Sequence, residues 1–163
     1  MNYLSLDKEK TFKTVQQLNT LLADYHLYYQ KLRNFHWNIT GNNFFNLHVK
    51  FEEMYNDAKI NIDEIAERIL TLRYQPISNF SEYLKLSGIK EASSSLTDKE
   101  MIDALLTDHG SLLKQMRAVV EAATNAEDEG TIDLIGGYIR DLEKTSWMLD
   151  AWRFKTTENH PKA

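Results

Sequence analysis

Cysteine is absent from the chain, which excludes disulfides, thiolate metal sites and cysteine nucleophiles together and fits a reducing compartment. Two prolines and six glycines are all that interrupt 163 residues, so little prevents long helices. No apolar run approaches the ~20 residues needed to span a bilayer, and the opening MNYLSLDKEK lacks a signal peptide's hydrophobic centre. Positive charge is also in deficit. Lys plus Arg number 19 against 24 Asp plus Glu, a net of −5, and phosphates repel a net-acidic body. The expectation is one cytoplasmic, all-α domain over 1–163, large enough to bury its own core.

What is present is hydrophobic spacing of helical period. Phe12, Val15, Leu18, Leu22, Tyr25, Tyr29 and Leu32 predict a helix from about Asp7 to His36, and NITGNN around Gly41 predicts a tight αα-hairpin. Phe44, Leu47, Phe51, Tyr55, Ala58, Ile62, Ile65 and Ile69 predict a second long helix closed by Pro76. Residues 78–95 read as a connector with a short helix in SNFSEYLKL. Thr97 and Glu100 then form a capping box ahead of a third long helix through Ile102, Leu105, His109, Leu112, Met116 and Val119. An acidic turn with Gly130 leads to a fourth, from Ile132 to Trp152, in which Gly136 and Gly137 predict a close backbone approach. Two hairpins and one long connector make a four-helix bundle with a single crossover and a short extra helix.

The second helix carries two apolar stripes. Its off-core side holds Phe45, Val49, Ile60, Leu70 and Tyr74 among Glu52 and Asn56, so it is covered either by the connector or by another subunit. The same helix bears metal-type residues. Across the Gly41 hairpin His36 can meet His48, Glu52 lies one turn beyond His48, and Asp63 and Glu67 form an i, i+4 pair. Two imidazoles with carboxylates make a nitrogen and oxygen set suited to iron, zinc or manganese. Each residue alone has a plainer reading, as a capped histidine or a solvated acid.

Geometry bears on that choice. His48 and Asp63 are 15 residues apart, about 22 Å of helical rise, so one chain cannot gather the whole set round one metal. A two-fold partner antiparallel along this helix brings its Asp63 and Glu67 opposite His36 and His48, giving two equivalent sites. Sites built inside a single bundle use Glu-x-x-His on two helices, and the sequence contains no such motif.

The run from Asn34 to Leu72, NFHWNITGNNFFNLHVKFEEMYNDAKINIDEIAERILTL, strongly resembles the signature of the Dps family, the mini-ferritins named for DNA protection in starved cells. Its pieces are His36-Trp37-Asn38 with Gly41, then Phe44 to Tyr55, then Asp63 to Ile69. The resemblance extends to EDEGTID and EKTSWML and thins at the termini. It implies a ferritin-like bundle assembled as a hollow dodecamer. It also implies a two-iron ferroxidase centre of His36 and His48 with the two-fold neighbour's Asp63 and Glu67, with Glu52 as a further acid and Trp37 beside it.

The implied activity is an oxidoreductase that oxidises Fe(II), preferentially with hydrogen peroxide, and stores the ferric product in the cavity against oxidative stress. DNA shielding at the nucleoid is the alternative, but Lys8, Lys10 and Lys13 alternate with acids and the C-terminal tail has only Lys162 beyond Lys155. By the same resemblance the turn with Asp128, Glu129 and Asp133 borders an iron-entry pore. Without it, those acids read as helix-start chemistry.

Overall fold

In the computed structural model, which describes residues 3–153, the chain forms five helices and no strand among the described residues. They are α1 (Lys8–Asn38), α2 (Phe44–Thr71), α3 (Phe80–Leu86), α4 (Asp98–Asn125) and α5 (Glu129–Arg153). The architecture is the expected one: four long helices with α3 in the crossover. The C-terminal TTENHPKA and Lys155 and Lys162 lie outside the described residues.

Local chemistry sets the boundaries. The Asp7 carboxylate accepts from the Lys10 amide at 2.9 Å and starts α1, and Gly41, at φ +92°, makes the hairpin that returns the chain as α2. Helix α2 stops short of Pro76. Leu72 caps it and Arg73 takes a left-handed conformation at φ 70°. The Tyr74 amide reaches the Ile69 carbonyl at 3.1 Å and the Arg73 amide the Leu70 carbonyl at 2.8 Å, a Schellman motif without glycine. Glu127, at φ 56°, ends α4 in the same manner. The Thr97–Glu100 capping box forms as expected, with the Thr97 amide donating to Glu100 at 2.8 Å.

Helix α1 is the central stave. It packs on α2, α4 and α3, and α4 packs on α5. Leu18, Leu21, Leu22, Phe35, Phe51 and Ile65 meet in the core, each stabilising the fold by roughly 1.5–3 kcal/mol on burial. The connector is pinned to α1: Asp24 accepts from Ser87 Oγ and the Gly88 amide, both at 2.8 Å, and the His26 ring stacks on Tyr83 at 3.9 Å. It therefore covers α1 and leaves the outer stripe of α2 open. Among the described residues nothing approaches within 4 Å of a Cβ built at Gly136, and Gly137 meets only the Arg140 guanidinium at 3.9 Å, so the expected close approach is not made by them.

One core position carries a pH dependence. Burial pushes the His109 imidazole down from 6.5 to about 4. Between those values the unfolded chain binds a proton that the folded chain refuses, so stability rises with pH across the window and is lost on acidification. The loss accumulates at about 1.4 kcal/mol per pH unit, reaching roughly 3 kcal/mol per chain near pH 4. Denaturation midpoints followed downward from neutral pH are expected to fall less steeply in His109→Gln. Parallel slopes would remove His109 as the cause.

Candidate metal centre

The hairpin brings His36, in the last turn of α1, against His48, in the second turn of α2. Their rings stack at 3.8 Å between centroids with planes 18° apart. The hydrogen bonds are reciprocal: His36 Nδ1 meets the His48 carbonyl and His48 Nδ1 meets the His36 carbonyl, each at 2.8 Å. A carbonyl can only accept, so both Nδ1 atoms carry the proton in the neutral rings. Each Nε2 then holds the lone pair a metal needs, and the backbone bonds fix the rings as the outer partners of metal-bound histidines do.

Aromatic groups wall this pair. Phe44 stacks on His48 at 4.8 Å, and Tyr55 stands edge-on to His36 at 5.3 Å. The Tyr55 hydroxyl donates to Glu52 at 3.3 Å, and desolvation first, then the Glu52 charge, holds its phenol above the ordinary 10.0. Glu52 is thus tied through Tyr55 to the histidine pair. Tyr55 and Phe44 read as core by periodicity. Their offsets from the site, Tyr55 three residues after Glu52 and Phe44 four before His48, were the available signal. Trp37 is 58% exposed and carries the Arg33 guanidinium over its ring at 4.7 Å.

Asp63 and Glu67 stand apart from the histidines, exposed on α2, while Glu64 between them accepts from Tyr138 of α5 at 2.6 Å. Phe45 (81% exposed), Val49, Ile60 and Leu70 share the open surface of α2. Tyr74 does not: it lies beyond the helix, half-buried, with its hydroxyl on the Lys8 carbonyl at 3.2 Å. Within one chain no three His, Asp or Glu side chains come together as a metal site among the described residues.

At the turn before α5, Asp128 is buried. It accepts from the Thr131 amide at 3.1 Å and the Thr131 hydroxyl at 2.6 Å, and pairs with Arg68, whose Nε also reaches the Thr131 hydroxyl at 2.9 Å. Glu129 and Asp133 remain exposed. Of the three acids, Asp128 is a helix cap and an ion-pair partner.

The family model described as "Ferritin-like domain" matches residues 15–157. The "DNA protection during starvation protein 2" of Bacillus anthracis is 41% identical over 140 residues, covering 86% of this chain and 96% of that protein. The chain belongs to the Dps family of ferritin-like proteins. The Porphyromonas gingivalis "DNA protection during starvation protein" is 42% identical, covering 92% of this chain and 94% of its own. The solved Dps protein from Vibrio cholerae O1, described as a member of a superfamily of ferritin-like diiron-carboxylate proteins, superposes with a TM-score of 0.90. It is 45% identical and covers 93% of this chain and 96% of that one. The Dps fold thus frames the site residues. No helix among those described is long and apolar enough to cross a membrane.

Proposed function

We propose that this Dps-family chain is an iron-storing ferroxidase that oxidises Fe(II) with hydrogen peroxide at sites shared between two-fold-related subunits. The observation that carries the reading is the reciprocal bonding of His36 and His48, which presents two neutral imidazole nitrogens beside an open apolar surface. In the assembly, the partner subunit's Asp63 and Glu67 face that pair, and Glu52 adds charge from the near side. Nitrogen and carboxylate donors suit Fe(II), and the carboxylates favour the harder Fe(III) product. Few protein ligands leave positions open for the oxidant.

The reaction balances as two Fe(II) and one hydrogen peroxide with two protons giving two Fe(III) and two waters. Iron is the substrate, and paired oxidation avoids releasing hydroxyl radical. The ferric product is stored inside a dodecamer of about 228 kDa, twelve chains of 19.0 kDa. Light scattering is expected to find that mass. A stable monomer at micromolar concentration would sink the shared site. Loading with Fe(II) and peroxide, followed at the ferric absorbance, tests the activity, and zinc held without oxidation is the result that would replace it. The reading places the protein in the cytoplasm.

Iron entry falls to Glu129 and Asp133, because Asp128 faces inward. A three-fold ring triples each exposed carboxylate and concentrates cations by its field. Glu129→Gln with Asp133→Asn is expected to slow uptake at limiting Fe(II), with the deficit shrinking as Fe(II) rises. Unchanged uptake at limiting Fe(II) would return both residues to the helix-start role.

Nothing in the described residues favours DNA shielding. The N-terminal segment is tied down, with Tyr3 donating to the Thr71 carbonyl at 3.0 Å and Arg73 over its ring at 5.5 Å. With a net charge of −5 there is little counterion release to drive binding. A gel shift across a salt series is expected to show none.

A further inference from the structure

The core of the bundle holds a phenol–imidazole pair that the shared centre does not use. Tyr28 of α1 and His109 of α4 are both buried, and Tyr28 Oη lies 2.8 Å from His109 Nε2. The far side of the ring settles the direction of that bond. Ser146 Oγ donates its single proton to the Leu142 carbonyl at 2.7 Å, so at its 2.7 Å contact with His109 Nδ1 it accepts. Nδ1 therefore carries the proton, and Nε2 is a bare lone pair taking the hydrogen bond from Tyr28. We infer that Tyr28 and His109 form a proton-coupled electron donor, which surrenders an electron to one-electron oxidants arising at the metal centre and takes it back afterwards.

The inference rests on the ferroxidase reading for its oxidant, a hydroxyl-radical-class species formed when peroxide accepts one electron instead of two. The phenol loses its electron to that species, which becomes hydroxide. The phenolic proton crosses to His109 Nε2, making an imidazolium whose Nδ1–H is already bound by Ser146. A further Fe(II) supplies the returning electron and becomes Fe(III), and the proton goes back to the phenolate oxygen. Burial keeps the imidazole neutral at neutral pH, so the accepting site is vacant when needed.

Rings lead from the centre part of the way towards the pair: Tyr55 stands 5.3 Å from His36 and Tyr29 stands 6.0 Å from Tyr55. The last step runs along the backbone of α1, where Tyr28 immediately precedes Tyr29. Tyr55 and Tyr138 also donate to bases, but Glu52 and Glu64 are exposed carboxylates from which a proton escapes to water. At His109 the proton stays within a closed chain of hydrogen bonds, which makes the oxidation reversible.

The test uses the assembled protein in two arms. In the first, without iron, a photogenerated one-electron oxidant, ruthenium tris-bipyridine with persulfate, is flashed and the radical followed by electron paramagnetic resonance. The unmodified protein is expected to show a long-lived tyrosyl signal that is lost in Tyr28→Phe, shortened in His109→Gln and retained in Tyr3→Phe. Should Tyr28→Phe fail to assemble, 3,5-difluorotyrosine placed at position 28 must change the hyperfine pattern. An unaltered signal in either case overturns the proposal.

In the second arm, Fe(II) and peroxide are mixed and ferric absorbance and radical are read from the same sample. Ferric iron forming without a Tyr28-dependent radical overturns the link to the centre. No ferric iron, together with the Tyr28 signal in the first arm, sinks the ferroxidase reading and leaves the redox pair supported.

Discussion

Replacing His36 or Asp63 with alanine is expected to abolish fast peroxide-driven iron oxidation while leaving the assembly intact. The loss should exceed the roughly 10–100-fold typical of removing an outer-shell partner, because a donor atom itself is removed. His36→Ala also deprives the His48 carbonyl of its donor and the His48 and Tyr55 rings of a neighbour, so its scattering mass must be checked beside its activity. Asp63 is exposed on α2, so its removal leaves the buried core untouched.

Mixed assemblies make the stronger test. Subunits lacking both histidines are combined with subunits lacking Asp63 and Glu67. In a mixed dimer one of the two sites regains the full set of ligands and the other lacks both the histidine and the Asp63–Glu67 pairs. Partial activity is therefore expected from two inactive parents. No recovery in verified mixed dimers would mean that the ligands are not shared across the two-fold.

How far the sequence could have led is clearest along α2. Its core stripe, the hairpin at Gly41 and the exposed outer residues follow from period and turn chemistry, and all are present except Tyr74, which lies beyond the helix. Where α2 ends was less legible. Proline is the visible stop, but the chain turns at Arg73, whose left-handed conformation is held by carbonyls of the preceding turn and by no residue preference.

The site shows the same division. That His36 and His48 meet follows from their places about the hairpin. That each donates to the other's carbonyl depends on loop geometry no spacing encodes. Tyr55 and Phe44 were hidden because an aromatic at a core-periodic position looks the same whether it fills the interior or walls a metal site. Gly136 and Gly137 show the limit of a local rule: two glycines in a helix announce a close neighbour, and the described residues of the subunit provide none.

The largest effect on the fold is expected at Arg68. Its guanidinium joins α2 to the cap of α5, reaching Asp128 and the Thr131 hydroxyl together. Elsewhere the Tyr138–Glu64 hydrogen bond joins the same two helices, while α2 packs mainly on α1 and α5 on α4. Arg68→Ala leaves the Asp128 carboxylate buried with only Thr131 for company.

Breaking a buried pair from one side costs about 3–5 kcal/mol, because the remaining charge loses its counter-ion and cannot reach water. Asp128→Asn is expected to cost less, since the amide oxygen still caps α5 and the charge left behind, on Arg68, is part-exposed where the carboxylate is fully buried. Gly130 tests the same lock sterically. A Cβ there would lie 2.9 Å from the Arg68 guanidinium, so Gly130→Ala must shift that group against its partners.

Unfolding at fixed protomer concentration should rank Arg68→Ala as the most destabilised, with Gly130→Ala and Asp128→Asn between it and the unmodified chain. The double change, Arg68→Ala with Asp128→Asn, should be less damaging than the two single effects added together, because the stranded charge is gone. Strict additivity would show that Arg68 stabilises the turn by packing its stem and not by neutralising Asp128.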